Sequence, residues 1–207
     1  VRTLPREKVR ELFMSRAVFV AGAVDDASMP KPFMPEIAFI GRSNVGKSSL
    51  VNALTGQKML AHVSNTPGRT QQLNFFRLAD RFFLVDMPGY GFTKAEKGVV
   101  ARWQALIDHY LADRTSLKRL CLLIDSRHGL KDNDRDFLET LQNYGVPFVA
   151  VLTKTDKIKP AEQAKVTAET LDALKTHGGA WPEIFATSTE TGEGVDALRL
   201  FLAKSLL

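Results

Sequence analysis

The chain has 207 residues, a formal charge of +5 and 44% apolar residues, enough for one domain that covers both faces of a sheet, and no compositional break divides it into two folding units. No apolar run approaches the roughly 18 residues of a membrane span, and the N-terminal residues mix Arg2, Arg6, Lys8 and Arg10 with Glu7 and Glu11, unlike a secretory signal, so a cytoplasmic location is expected. A single cysteine, Cys121, excludes an internal disulfide and reads as a small buried hydrophobe; the positive excess, with no block of like charges, is compatible with an RNA partner or a solvated surface.

In chain order, residues 1–34 predict an N-terminal helix, an edge strand at 18–21 and a proline-bearing connector with Pro30 and Pro32. Residues 35–207 form the main domain. Its apolar runs at 37–40, 74–78, 82–86, 120–125, 148–153 and 184–186 complete a set of seven candidate strands. Helical patterns lie between them: Val99, Trp103, Leu106 and Tyr110 on one face, then Phe137, Leu138 and Leu141, then Ala164, Ala168, Leu171 and Leu174, and finally Val195, Leu198, Phe201 and Leu202. Strands apolar on both sides that alternate with amphipathic helices predict an α/β fold, a doubly wound and mostly parallel sheet. Two polar, glycine- and proline-bearing stretches, 56–73 and 87–98, are long enough to read as functional loops.

Residues Gly41-Arg42-Ser43-Asn44-Val45-Gly46-Lys47-Ser48 carry the G-x-x-x-x-G-K-[ST] pattern, directly after an apolar run and directly before a helical stretch at 48–54. Gly41 and Gly46 let successive amides turn inward towards phosphates at a helix N-terminus. Lys47 supplies a point charge to the β- and γ-phosphates, and the Ser48 hydroxyl a ligand for Mg2+. A solvated glycine turn is the plain alternative, and the strand-to-helix context argues against it. Asp86-Met87-Pro88-Gly89 closes the 82–86 run. An aspartate at the carboxyl end of a buried strand faces the ligand edge of such a sheet and can hold Mg2+ through water, while Gly89 permits an amide to approach the γ-phosphate.

Two further strand ends address the base. Thr153-Lys154-Thr155-Asp156 follows 148–152, and Ala186-Thr187-Ser188 ends the 184–186 run. A carboxylate at Asp156 can accept two hydrogen bonds from guanine N1–H and the 2-amino group. Adenine offers neither donor and would leave that charge unpaired. The stem of Lys154 would cover one face of the base, and an amide near Ser188 would meet the guanine oxygen.

These pieces, in order and each at a strand end, resemble the Ras-like, translation-factor-related GTPases. Asn65-Thr66-Pro67-Gly68-Arg69-Thr70-Gln71, followed by Asp86-Met87-Pro88-Gly89-Tyr90-Gly91, resembles the EngB family more specifically, over nearly the whole chain. The residues alone leave Thr66 and Thr70 equivalent as a switch-loop hydroxyl. The resemblance implies Thr70 as the Mg2+ ligand of the GTP state, with Gly68, Arg69, Gln71 and Gln72 beside the nucleotide, and Lys47, Thr70 and Gly89 as the groups on the reacting phosphate. It implies K+ as an accessory ion through Asn44. It further implies binding, as a monomer, to the large ribosomal subunit or its precursor and to ribosomal RNA, with a role in cell division and septation.

Three departures from the wider superfamily carry expectations. Tyr90 stands where a water-orienting glutamine is common, so intrinsic hydrolysis is expected to be slow. Thr153 replaces the usual asparagine, which removes an amide and predicts modest affinity. Glu190 replaces a lysine that could stack on guanine. The basic residues Arg102, Lys118, Arg119, Arg127 and Lys131 read as an RNA patch or, more simply, a solvated face. His62, His109, His128 and His177 have no metal-ligand spacing; Trp103 reads as core and Trp181 as a loop anchor. The rival classes are a P-loop small-molecule kinase, which has no use for Asp156, and a GTP-dependent cell-division scaffold that does not act through the ribosome.

Overall fold

A computed structural model describes residues 4–58, 72–90 and 97–206. Its elements are α1 (Arg6–Met14), β1 (Ala17–Ala23), β2 (Glu36–Gly41), α2 (Lys47–Thr55), β3 (Leu73–Leu78), β4 (Phe82–Asp86), α3 (Lys97–Asp113), β5 (Leu117–Asp125), α4 (Asp132–Asn143), β6 (Phe148–Thr153), α5 (Pro160–Leu174), β7 (Phe185–Ala186) and α6 (Val195–Ser205). All seven candidate strands lie in one sheet, ordered β1-β3-β4-β2-β5-β6-β7. β4, β2, β5, β6 and β7 run parallel, whereas β1 and β3 add an antiparallel edge. The N-terminal strand extends beyond 18–21 because Gly22 and Ala23 also pair, with Asn74 and Leu73, past a bulge between Phe19 and Ala21.

Side chains alternate along β2 and divide the core in two. Ala38 and Ile40 join Leu106, Ile107 and Tyr110 of α3, Phe137 and Leu138 of α4 and Val166 of α5 on one face. Ile37 and Phe39 join Leu50 and Leu54 of α2, Leu198 and Leu202 of α6, and Val9 and Phe13 of α1 on the other. Phe13 also lies against the Phe82 ring, 5.2 Å between centroids, so the N-terminal helix is built into the same core as α2 and α6. Cys121 is fully buried on that face, and burial pushes its thiol well above the ordinary range.

Local rules set the helix boundaries. α2 is bracketed by left-handed Gly46 and Gly56, and the Arg199 guanidinium of α6 donates to the Leu54 carbonyl at its C-terminal end. α5 opens with Pro160, and Glu162 accepts from the Lys159 amide. At the start of β2, Glu36 is fully buried and accepts from Arg114, Tyr110 and Ser116 at 2.7–2.9 Å. This ties the chain just after α3 to the sheet at the end of β2 opposite Gly41. No helix among the described residues is long and apolar enough to cross a membrane.

Candidate functional site

The strand ends Gly41, Asp86, Asp125, Thr153 and Ala186 all lie at the carboxyl edge of the parallel sheet, the edge where ligands bind in open α/β folds. Leaving β2, the chain must pass close to β5: a Cβ at Gly41 would sit 2.8 Å from the Leu123 carbonyl oxygen. Asn44 (φ 63°) and Gly46 (φ 100°) then turn the backbone through the left-handed region, and α2 begins at Lys47. This turn carries Arg42, Ser43 and Val45 and leads directly into Ser48 in the first turn of the helix.

Lys47 Nζ pairs with Asp86 Oδ1, both side chains largely buried. Each is the other's counter-ion here, and a phosphate on the lysine with a cation on the aspartate would replace that pairing without leaving either charge unpartnered. Residues 87–90 extend β4 along the P-loop: the Met87 amide donates to Phe39 O at 3.0 Å and the Tyr90 amide to Gly41 O at 3.3 Å. Pro88 lies between them. A Cβ at Gly89 would fall 2.9 Å from Gly41 O and 3.3 Å from the Ser43 amide nitrogen, so this close approach of two backbones requires glycine.

Tyr90 is turned away from the phosphate site. Its ring stacks on Phe137 of α4, 5.0 Å between centroids and 17° between planes, and its hydroxyl donates to Asp134 Oδ1 at 2.6 Å. Burial and the neighbouring Asp134 charge push its phenol well above the ordinary range. It is a committed hydrogen-bond donor to α4.

The residues at the ends of β6 and β7 lie together. Thr153, at 4% exposure, donates from Oγ1 to Val45 O at 2.6 Å. The hydroxyl therefore reaches the P-loop turn at 41–48 and ties the end of β6 to it. Lys154 adopts φ 59°, and the Thr155 amide donates to Thr187 O. That reversal brings Asp156 to the 186–188 loop, where the Ser188 hydroxyl donates to Asp156 Oδ1 at 2.7 Å. The Ser188 bond, followed by that from Lys157, holds the Asp156 carboxyl below its ordinary range. A Cβ on Gly194 (φ 73°) would lie 1.9 Å from Ala186 O, so the start of α6 is pressed against this loop and only glycine fits. Thr155 and Asp156 open on to a groove along α5 that Pro160, Gln163 and Thr167 also line.

Several expectations fall elsewhere. Gly68, Arg69, Thr70 and Gln71 lie outside the described residues, as does His62. Gln72 is directed at the edge strand: its side chain occupies the space that a Cβ on Gly22 would need, and its Nε2 donates to Asn74 Oδ1. Arg119 stacks on Trp181 and Phe201 and Arg127 is bidentate on Asp125, while Arg102, Lys118 and Lys131 are exposed. Trp103 packs partly buried on the core, and Trp181 tilts against Phe201. Asp125, which the motifs did not single out, holds the end of Lys154: Nζ donates to Asp125 Oδ2 at 2.9 Å and to Asn44 O at 2.6 Å. Its only signal in the sequence is its place at the end of an apolar run, two residues before an arginine.

Comparison with known proteins agrees with this geometry. The family described as 50S ribosome-binding GTPase matches residues 36–154, and a protein of Rhodospirillum rubrum, "Probable GTP-binding protein EngB", is 51% identical over 202 residues, covering 95% of this chain and 87% of that one. The chain belongs to the EngB family of GTP-binding proteins. Another EngB relative, from Gluconobacter oxydans, is 50% identical over 96% of this chain and 87% of its own length. A crystal structure of a probable GTP-binding protein EngB superposes with a TM-score of 0.64 at 25% identity, over 83% of this chain and 98% of that one. The Era protein of Aquifex aeolicus bound to GDP and AlF4−, at 23% identity, shares the fold with a TM-score of 0.66 over 84% of this chain and 57% of its own. With EngB membership, the site is that of a GTPase, which converts GTP to GDP and phosphate.

Proposed function

We propose that this EngB chain is a slow GTPase switch that binds the large ribosomal subunit, or its precursor and ribosomal RNA, during assembly in the cytoplasm, and through that supports cell division and septation. The observation that carries the ribosomal part is the match of residues 36–154 to a family described by 50S ribosome binding. Slow turnover is supported by Tyr90, whose hydroxyl is bound to Asp134 and does not orient an attacking water. The chain acts as a monomer in this reading.

The donor chemistry fits Mg2+. Ser48 and Asp86 offer hard oxygen ligands beside Lys47, and no group of three His, Cys, Asp or Glu side chains among the described residues could form a cage. This suits an ion held mainly through nucleotide phosphates and water. Thr70 would add its hydroxyl in the GTP state. When bound, the ion supplies charge neutralisation between the β- and γ-phosphates, while Lys47 and the P-loop amides bind and orient the phosphates and Gly89 brings its amide to the γ-phosphate. K+ as an accessory ion rests on Asn44 in the P-loop, and replacing KCl by NaCl in the hydrolysis assay tests it.

The kinase reading does not account for the assembled Asp156 seat or the family. The scaffold reading remains the competitor, and one experiment separates them. Purified large subunits are expected to raise GTP hydrolysis several-fold while small subunits do not, and Ser48→Ala is expected to abolish GTP-dependent subunit binding. Unchanged hydrolysis together with subunit binding indifferent to Ser48→Ala would reject the ribosomal switch. Loss of the GDP-over-ADP preference in Asp156→Asn tests the base assignment separately.

A further inference from the structure

We infer that Asp125, clamped by Arg127, is a positioning residue for guanine-nucleotide binding: it holds the ammonium end of Lys154 so that the lysine stem lies as a fixed platform over the P-loop.

Lys154 sits in a conformation that disfavours it. A non-glycine residue at φ 59° is strained and persists only where the surroundings over-determine it. Here the determinants lie at the far end of the side chain. Nζ donates to Asn44 O, itself presented by a left-handed residue, and to Asp125 Oδ2. Between backbone and ammonium, the stem passes over the P-loop, with Cε 3.5 Å from the position a Cβ on Gly46 would take. Two anchors on different elements fix a four-carbon stem that would otherwise sample many rotamers.

Asp125 is equipped to be a rigid anchor. It ends β5 in register with Thr153 at the end of β6, so its carboxylate stands beside the residue preceding Lys154. Arg127 binds it through two parallel bonds, Nε to Oδ1 at 2.9 Å and Nη2 to Oδ2 at 2.7 Å, and the Arg127 amide adds a third at 3.1 Å. The His128 and Gly129 amides turn back on to the Asp125 carbonyl. Burial works to raise the Asp125 carboxyl, but the bonds from Arg127 and Lys154 outweigh it and keep it ionised far below the usual range. A planar fork on one side and a backbone turn beneath leave the carboxylate one orientation, with Oδ2 towards Lys154.

The inference rests on the guanine-nucleotide reading of the site, and a double-mutant cycle on the full chain tests the two apart. GDP dissociation constants are measured for wild type, Asp125→Asn, Lys154→Met and the double variant. Asp125→Asn is expected to weaken GDP about tenfold, the size of one charge-assisted hydrogen bond, but by less than about twofold in the Lys154→Met background. Equal effects in both backgrounds, or none in the first, overturn the positioning role. An unchanged affinity in Lys154→Met would instead overturn the platform reading. Inosine diphosphate, which lacks the 2-amino group, separates positioning from collapse of the base site: GDP and IDP should weaken in parallel in Asp125→Asn, and a lost GDP-over-IDP preference would refute the inference. Arg127→Gln, at an exposed side chain, repeats the cycle with about threefold expected weakening should Asp125→Asn fold poorly, and additivity with Lys154→Met there overturns the proposal equally.

Discussion

Replacing Thr153 by valine removes one hydroxyl while keeping volume and β-branching at the end of β6. Thr153 is 4% exposed; its hydroxyl donates to Val45 O at 2.6 Å, with Ile124 O a second acceptor at 3.3 Å. Val45 is equally buried and sits in the P-loop between left-handed Asn44 and Gly46. Valine therefore leaves a buried carbonyl without this donor, which costs about 1–3 kcal/mol. Thermodynamic linkage decides where the cost appears. If the P-loop of the free protein keeps its place, Tm falls by about 2–4 °C per kcal/mol for a chain of this size. If the loop relaxes, the cost moves into binding and GDP affinity falls by about 5- to 150-fold. Thermal unfolding with and without GDP, combined with GDP titration, captures both. Thr153→Ser keeps the donor and should stay within about threefold of wild-type affinity. A Thr153→Val protein with unchanged Tm and unchanged GDP affinity would refute the claim that this hydroxyl ties the base motif to the P-loop.

Three more outcomes follow from the geometry. Gly194→Ala places a Cβ 1.9 Å from Ala186 O at φ 73°, so the 186–188 loop must move; GDP affinity should fall more than about tenfold, with Tm lowered too, as titration and melting would show. Arg114→Met leaves Glu36 buried at the opposite end of β2 from the P-loop and should cost about 3–5 kcal/mol, seen as a large drop in Tm at unaltered GDP affinity of the folded protein. Asp125 has its carboxyl held below the unfolded value, so its contribution to stability is complete above pH of about 4 and is lost as pH falls through the native value; Asp125→Asn should flatten the acid limb of a Tm-against-pH profile.

What the sequence disclosed depended on how far apart the cooperating residues lie. The P-loop was legible because strand, glycine turn and helix are contiguous from Ile37 to Leu54 and each has its own local pattern. The strands were legible as apolar runs, whereas their order was not, since nothing in a run states its neighbour. Asp125 is not legible in the sequence because its contact with Lys154 exists only once β5 lies beside β6 and Lys154 turns left-handed. The bond from Thr153 to the Val45 carbonyl is illegible for the same reason, since its partner is 108 residues away. Glu36 could not be matched to Arg114 and Ser116 across some 80 residues, and Gly194 showed no purpose until Ala186 came against it.

The two flanks of the P-loop are held by different parts of the sheet, which bears on how the proposed switch would report its state. On the base side, Thr153 and Lys154 bind the Val45 and Asn44 carbonyls. On the other, Met87 and Tyr90 bind Phe39 and Gly41 through their amides. Tyr90 continues outward: its hydroxyl holds Asp134 Oδ1, while Asp134 Oδ2 accepts the Lys131 amide at the start of α4. An aspartate that caps a helix and accepts a tyrosine cannot follow a displaced Gly89 without surrendering one bond or moving the helix end. The position that elsewhere orients water thus serves here as a mechanical link from the phosphate edge to α4. A side chain committed to that link is withdrawn from chemistry, and this contact is the physical basis on which slow intrinsic turnover is proposed.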